Sequence, residues 1–153
     1  MARVNVGIDP KFMSDQHLLA ESVEITMITG HLRSQGYKIK GNIPMKFSLG
    51  KGHVTFFKNK LMYLQNRLYE INCELLSRGF NPSTNIDLSE FPNKLINDWR
   101  PNIEDSHLVR IRMVDRIINP LKANNNFHKF KRSEIHNMQD FINNILIHEL
   151  NFV

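Results

Sequence analysis

Cysteine is almost missing from this chain: Cys73 is the only one in 153 residues. That excludes a disulfide framework and a multi-cysteine zinc site within one chain, and it fits a reducing compartment. The histidines, His17 and His53 among them, fall at no recognisable zinc-ligand spacing, so no metal is expected. No apolar run approaches the ~20 residues that a membrane span requires. The first fifteen residues hold Arg3, Asp9 and Lys11 without a continuous apolar core, and so do not read as a signal peptide. No internal repeat is visible. The expectation is a cytoplasmic, membrane-free monomer with one compact domain.

What is present is an ordinary globular composition, 41% hydrophobic and 23% charged, with a net charge of +5 and a pI near 9.5. A basic surplus favours a polyanionic partner, because Lys and Arg displace counterions from phosphate. Charge by itself does not separate nucleic-acid binders from other basic proteins.

The apolar spacing predicts an all-α fold of three main helices with long polar connections and an additional C-terminal helix. The first helix starts at Ser14 or Asp15, either a good N-cap, and runs to about Leu32, with Leu19, Val23 and Ile28 facing the core. The second holds Leu61, Leu64, Leu68, Ile71 and Leu75 at three- and four-residue steps, with Gly79 just past its end. Residues 80–103 are mostly irregular, with a short turn allowed near 89–97. The third helix spans about Glu104 to Ile118, with Leu108, Ile111 and Val114 or Asp115 over the core, and Pro120 ends it. From Ser133 on, Ile135, Met138, Ile142 and Ile145 form a stripe flanked by Phe141 and Leu146. The expected division is a helical domain over 2–132 and a C-terminal helical extension, 133–153, packed on it.

The chain's start carries chemistry. Removal of Met1 ahead of a residue as small as Ala leaves an α-amine on Ala2. An α-amine has an unperturbed pKa of about 7.7–8.0, so a sizeable fraction is neutral and nucleophilic at physiological pH. An amine that attacks a carbon and passes through a Schiff base is a recognised covalent catalyst, and Glu24 is the nearby carboxylate such chemistry needs.

Arg3, Asn5, Asp15-Gln16-His17-Leu18, Ala20-Glu21 and Glu24 form a pattern that continues through Phe47 to Phe57, which includes Gly52-His53-Val54-Thr55-Phe56-Phe57. It goes on at Lys60-Leu61, Tyr63-Leu64, Arg67, Glu74-Leu75 and Arg78-Gly79-Phe80-Asn81. In these residues the chain resembles the small viral pyrimidine-dimer DNA glycosylases, closely over residues 2–81 and loosely over 98–131. The resemblance implies a DNA N-glycosylase with abasic-site lyase activity that needs no metal or organic cofactor, with the Ala2 amine and Glu24 as catalytic residues. It implies DNA contacts for Arg3, Gln16 and His17, and less securely for Arg112, Arg116 and Lys129. Lys129 lies in the aromatic-basic run Phe127-His128-Lys129-Phe130-Lys131, of a kind that can stack bases while neutralising phosphates.

Two positions depart from the family. It carries Arg just before the catalytic Glu and again shortly after; here Val23 and Met27 stand there. Lost phosphate clamps with a retained catalytic pair imply a substrate other than the ultraviolet dimer, or a strand held by other residues. Lys38, Lys40, Lys46, Lys51 and Lys58 are candidates for that. A non-catalytic DNA-binding or interaction protein on the same fold is the alternative, and an RNA-directed enzyme is a third reading. His53 is expected to be structural.

Overall fold

The computed structural model describes residues 2–119 and 138–150, and among these it is helical with no strand. The helices are α1 (Asp15–Ser34), α2 (His53–Phe57), α3 (Leu61–Ser77), α4 (Ile103–Ile118) and α5 (Met138–Leu150). Single 3-10 turns stand at Pro10–Phe12, Leu88–Glu90 and Asn93–Leu95. The expected all-α fold is what the chain adopts. Lys129, its aromatic-basic neighbours, Pro120 and Ile135 lie outside the described residues.

The centre of the molecule is the chain's own beginning. Residues 2–9 run without regular structure through the core, and Val4, Val6 and Ile8 are fully buried between the helices. An irregular segment can be buried only if its backbone polar groups find partners. Here side chains supply them. Val4 N–H donates to His53 Nε2 (3.1 Å), while the Arg110 guanidinium donates to Gly7 O (2.9 Å) and Arg67 to Ile8 O (2.5 Å). Gly7 sits at φ +72°, and a Cβ there would come within 2.6 Å of Ser106 Oγ on α4. Both the backbone conformation and the close approach require glycine.

Helix α1 begins where expected. Ser14 is its N-cap, and its Oγ accepts from His17 N–H (3.1 Å). Its buried stripe is Leu18, Glu21, Ser22, Ile25, Ile28, Thr29 and Leu32. Leu19 and Val23 therefore do not face the core; they are 41% and 49% exposed. The apolar pattern misleads because the stripe accommodates Glu21, whose carboxylate is matched by the buried Arg67 (2.8 Å).

α3 follows the pattern closely. Leu61, Leu64, Leu68, Ile71 and Leu75 are all buried, and Gly79 takes φ +85° beyond the last turn. α4 is capped by a reciprocal pair, Asn102 with Asp105 N–H and Asp105 with Asn102 N–H. Its buried face is Ser106, Val109, Arg110, Met113 and Ile117, whereas Leu108 and Ile111 are exposed. The helix is rotated from the expected face because Ser106 and Arg110 serve the Gly7 carbonyl.

The motif from Phe47 to Phe57 packs as an aromatic cluster with Tyr63 and Trp99, its ring centroids 5.1–6.0 Å apart. His53 enters this cluster with Nδ1–H donating to Ser48 O (2.8 Å) and Nε2 accepting from Val4. Burial lowers its pKa, consistent with a neutral ring fixed at both nitrogens. The most distinctive motif in the sequence thus clamps the N-terminal segment in place.

Candidate active site

The N-terminal segment, α1 and α4 enclose a cavity of about 120 Å³ whose lining includes Arg3, Asn5, Gln16, His17, Glu24 and Arg116. A larger concavity of about 1180 Å³ lies along α3 and residues 98–101 and shares no lining residue with it. That groove is wide and shallow, and its arginine on α3, Arg67, is already consumed by Glu21. The smaller cavity holds the chemistry-bearing groups.

Within it, the Arg3 N–H donates to Glu24 Oε2 at 3.2 Å, which sets the carboxylate one peptide unit from Ala2. Ala2 itself is buried. The Glu24 carboxyl is raised above the ordinary glutamate range, chiefly by burial; the charge and N–H of Arg3 oppose this.

A chain of hydrogen bonds leads from the core to the cavity. Arg67 donates to both Glu21 oxygens (2.8 and 3.1 Å), Glu21 Oε1 accepts from Asn5 Nδ2 (2.8 Å), and Asn5 Oδ1 accepts from Arg112 (3.2 Å). Glu21 and the Asn5 amide thereby aim the Arg112 guanidinium. With Arg3 and Arg116 it forms a cationic cluster. Burial, and then the charges of Arg3 and Arg116, push Arg112 down to about 10; Arg116 is lowered by burial and then by Arg3.

His17 is partly buried in the same wall, with Nδ1 2.5 Å from Ser14 Oγ. Burial first, then Arg3, Arg112 and Arg116, bring its pKa down to about 4, so the ring is neutral at physiological pH. Gln16 lines the cavity, and its buried Oε1 has no hydrogen-bond partner among the described residues.

Residues 1–88 match the family model described as pyrimidine dimer DNA glycosylase, 88 of the 153 residues. The chain belongs to the pyrimidine dimer DNA glycosylase family. The matched stretch takes in the N-terminal segment, α1, the aromatic clamp and α3, and therefore Arg3, Gln16, His17 and Glu24. Arg112 and Arg116 lie beyond it, yet the fold brings them into the same cavity.

The positions that depart from the glycosylase pattern lie open. Val23 and Met27 are 49% and 52% exposed on the α1 surface next to Glu24. Of the lysines considered as substitute clamps, Lys38, Lys40, Lys46 and Lys51 are exposed, but Lys58 is buried and donates to Gln35 Oε1 (3.0 Å). It is a structural residue. Asn5 and Glu21, which orient Arg112, carry a weak sequence signal: Asn5 interrupts the buried Val4 and Val6, and Glu21 lies one turn before Glu24. Among the described residues no group of His, Cys, Asp and Glu side chains is placed to share a metal ion.

Proposed function

We propose that the protein is a DNA N-glycosylase with associated abasic-site lyase activity, acting through the α-amine that loss of Met1 leaves on Ala2. The observation that carries this reading is the 3.2 Å contact between Arg3 N–H and Glu24, which holds the chain start against a carboxylate of raised pKa. In the first step the amine nitrogen bonds to C1′ of a destacked nucleotide as the glycosidic bond breaks and the base leaves with a proton. The sugar ring then opens, O4′ takes a proton, and the amine becomes an imine on C1′. The imine acidifies C2′–H; loss of that proton expels the 3′ phosphate, and water finally hydrolyses the imine. Glu24 balances the positive charge on the sugar and shuttles these protons.

The cavity is small, about 120 Å³. It suits attack on a sugar presented at its mouth. Arg3, Arg112 and Arg116 hold the strand by its phosphates, with Gln16 and His17 as polar contacts and Lys129 as a further cation by resemblance. The apolar Val23 and Met27 beside Glu24 favour a damaged or modified pyrimidine other than the ultraviolet dimer as the excised base.

Borohydride reduction tests this: it should trap a covalent complex with duplex DNA carrying an abasic site, and acetylation of the N-terminus should abolish the trapping. Undiminished trapping after acetylation would remove Ala2 as nucleophile. The exposed apolar row Leu19, Val23 and Met27 favours one other reading, a DNA-binding or interaction protein without catalysis. Met1 retained in the intact mass, with no trapped complex, would favour it.

A further inference from the structure

Helix α5 lies outside the stretch that matches the family, yet it reaches the candidate site. It packs against α4 and against the turn Pro10–Phe12 that precedes α1. Phe141 and Ile145, one turn apart, are fully buried, while Gln139, Asp140, Asn143, Leu146 and Ile147 are exposed. Among the described side chains of α5 these two are the most buried, with Ile142 partly buried beside them, and Phe141 meets a site residue. The Phe141 ring lies parallel to the His17 ring, with centroids 5.5 Å apart and planes 5° apart.

We propose that α5 buttresses the active site from behind His17 and that Phe141 is a positioning residue, which covers one face of the His17 ring while the Ser14 hydroxyl engages its Nδ1 edge. The claim rests on the site assignment above, but the packing it describes does not depend on catalysis. An imidazole on a helix surface ordinarily samples several rotamers and meets water on both faces. Here one face is covered by Phe141 and Nδ1 is engaged by Ser14 Oγ at 2.5 Å. Among the described residues the charged groups that act on the ring are Arg3 from the N-terminal segment and Arg112 and Arg116 from α4, and Phe141 of α5 stacks on it. The arrangement keeps a neutral, fixed hydrogen-bonding ring beside three guanidinium groups, where a fourth positive charge would be repelled. In such a site a mobile or protonated His17 would no longer offer one set geometry to the incoming strand. The extension thus supplies the outer half of a contact whose inner half belongs to the matched segment.

The test is the titration of His17 followed by NMR in the full-length protein, with Phe141→Ala and the volume-preserving Phe141→Leu. Wild type should stay neutral down to a midpoint of about 4. Either substitution should raise that midpoint by one unit or more toward the free-histidine value of about 6.5. On an abasic-site duplex, KM should rise several-fold while kcat at saturating DNA stays within about twofold, since Ala2 and Glu24 are untouched. If Phe141→Ala does not fold, Phe141→Leu decides. A folded Phe141→Leu protein with the wild-type His17 midpoint and unchanged KM overturns the proposal. A wild-type protein inert toward DNA would refute the functional reading alone, because the titration requires no substrate.

Discussion

Two groups of arginines in this molecule treat the same side chain in opposite ways. In the body, Arg67 meets both oxygens of Glu21 and the Ile8 carbonyl, and Arg78 meets Asp15, Glu74 and two carbonyls of the first turn. Each charge is matched by a carboxylate, and Glu21 raises Arg67 even though burial alone would depress it. Around the cavity, Arg3, Arg112 and Arg116 form no ion pair among the described residues and press on one another. Matched guanidinium groups hold the fold together; the unmatched ones cost stability and gain from a polyanion. Where a protein tolerates mutual repulsion among half-buried cations, a ligand is the natural source of compensation.

That contrast can be broken from either side. The largest effect is expected at Glu24: Glu24→Gln should cut turnover on an abasic-site duplex by ~10²–10⁴, measured by borohydride trapping and strand incision, with the fold intact. The folded state raises the Glu24 pKa, so ionisation of the carboxyl opposes folding once pH exceeds the ordinary glutamate range. The same variant should thus melt slightly higher than wild type at neutral pH and lose that gain in acid. Next comes Arg67→Met, which strands the Glu21 carboxylate in the core and should cost ~3–5 kcal/mol in denaturant unfolding.

The third prediction concerns acid. His17 titrates at about 4 when folded against ~6.5 unfolded, so between these values the unfolded chain binds more protons. Stability should be full above pH 6.5 and fall by at most ~3 kcal/mol as pH drops to 4, a loss that His17→Gln removes. The smallest effect is at the cationic cluster. Arg112→Gln or Arg116→Gln should each lower the salt dependence of DNA binding by ~0.9 in log–log slope, with no loss of thermal stability. Loss of stability instead would move these residues into the matched class.

How far the sequence reveals all this differs from helix to helix. α3 reads off directly, because its buried stripe is purely aliphatic. α1 and α4 do not, because Glu21 and Arg110 occupy buried positions that apolar periodicity assigns to solvent, and leave Leu19, Val23, Leu108 and Ile111 outside. Arg3, His17 and Glu24 are legible through the family pattern. Arg112 and Arg116 are legible only through the looser end of that pattern, since the cavity that unites them with Arg3 forms through contacts across more than 100 residues. Phe141 has no sequence signal as a site residue, for an aromatic on an amphipathic helix reads as core, which it also is.

The span of those contacts sets an order of events during synthesis. Gly7 meets Ser106 and Arg110, and Asn5 meets Arg112, across separations of 99, 103 and 107 positions. A nascent chain that has just released α3 from the ribosome already holds its N-terminal segment and Glu24, but neither α4 arginine. Links this remote in sequence close late, because so much intervening chain must be ordered first. The α4 arginines therefore join the N-terminal segment and Glu24 last, and the cationic side of the cavity is completed only once α4 has been made.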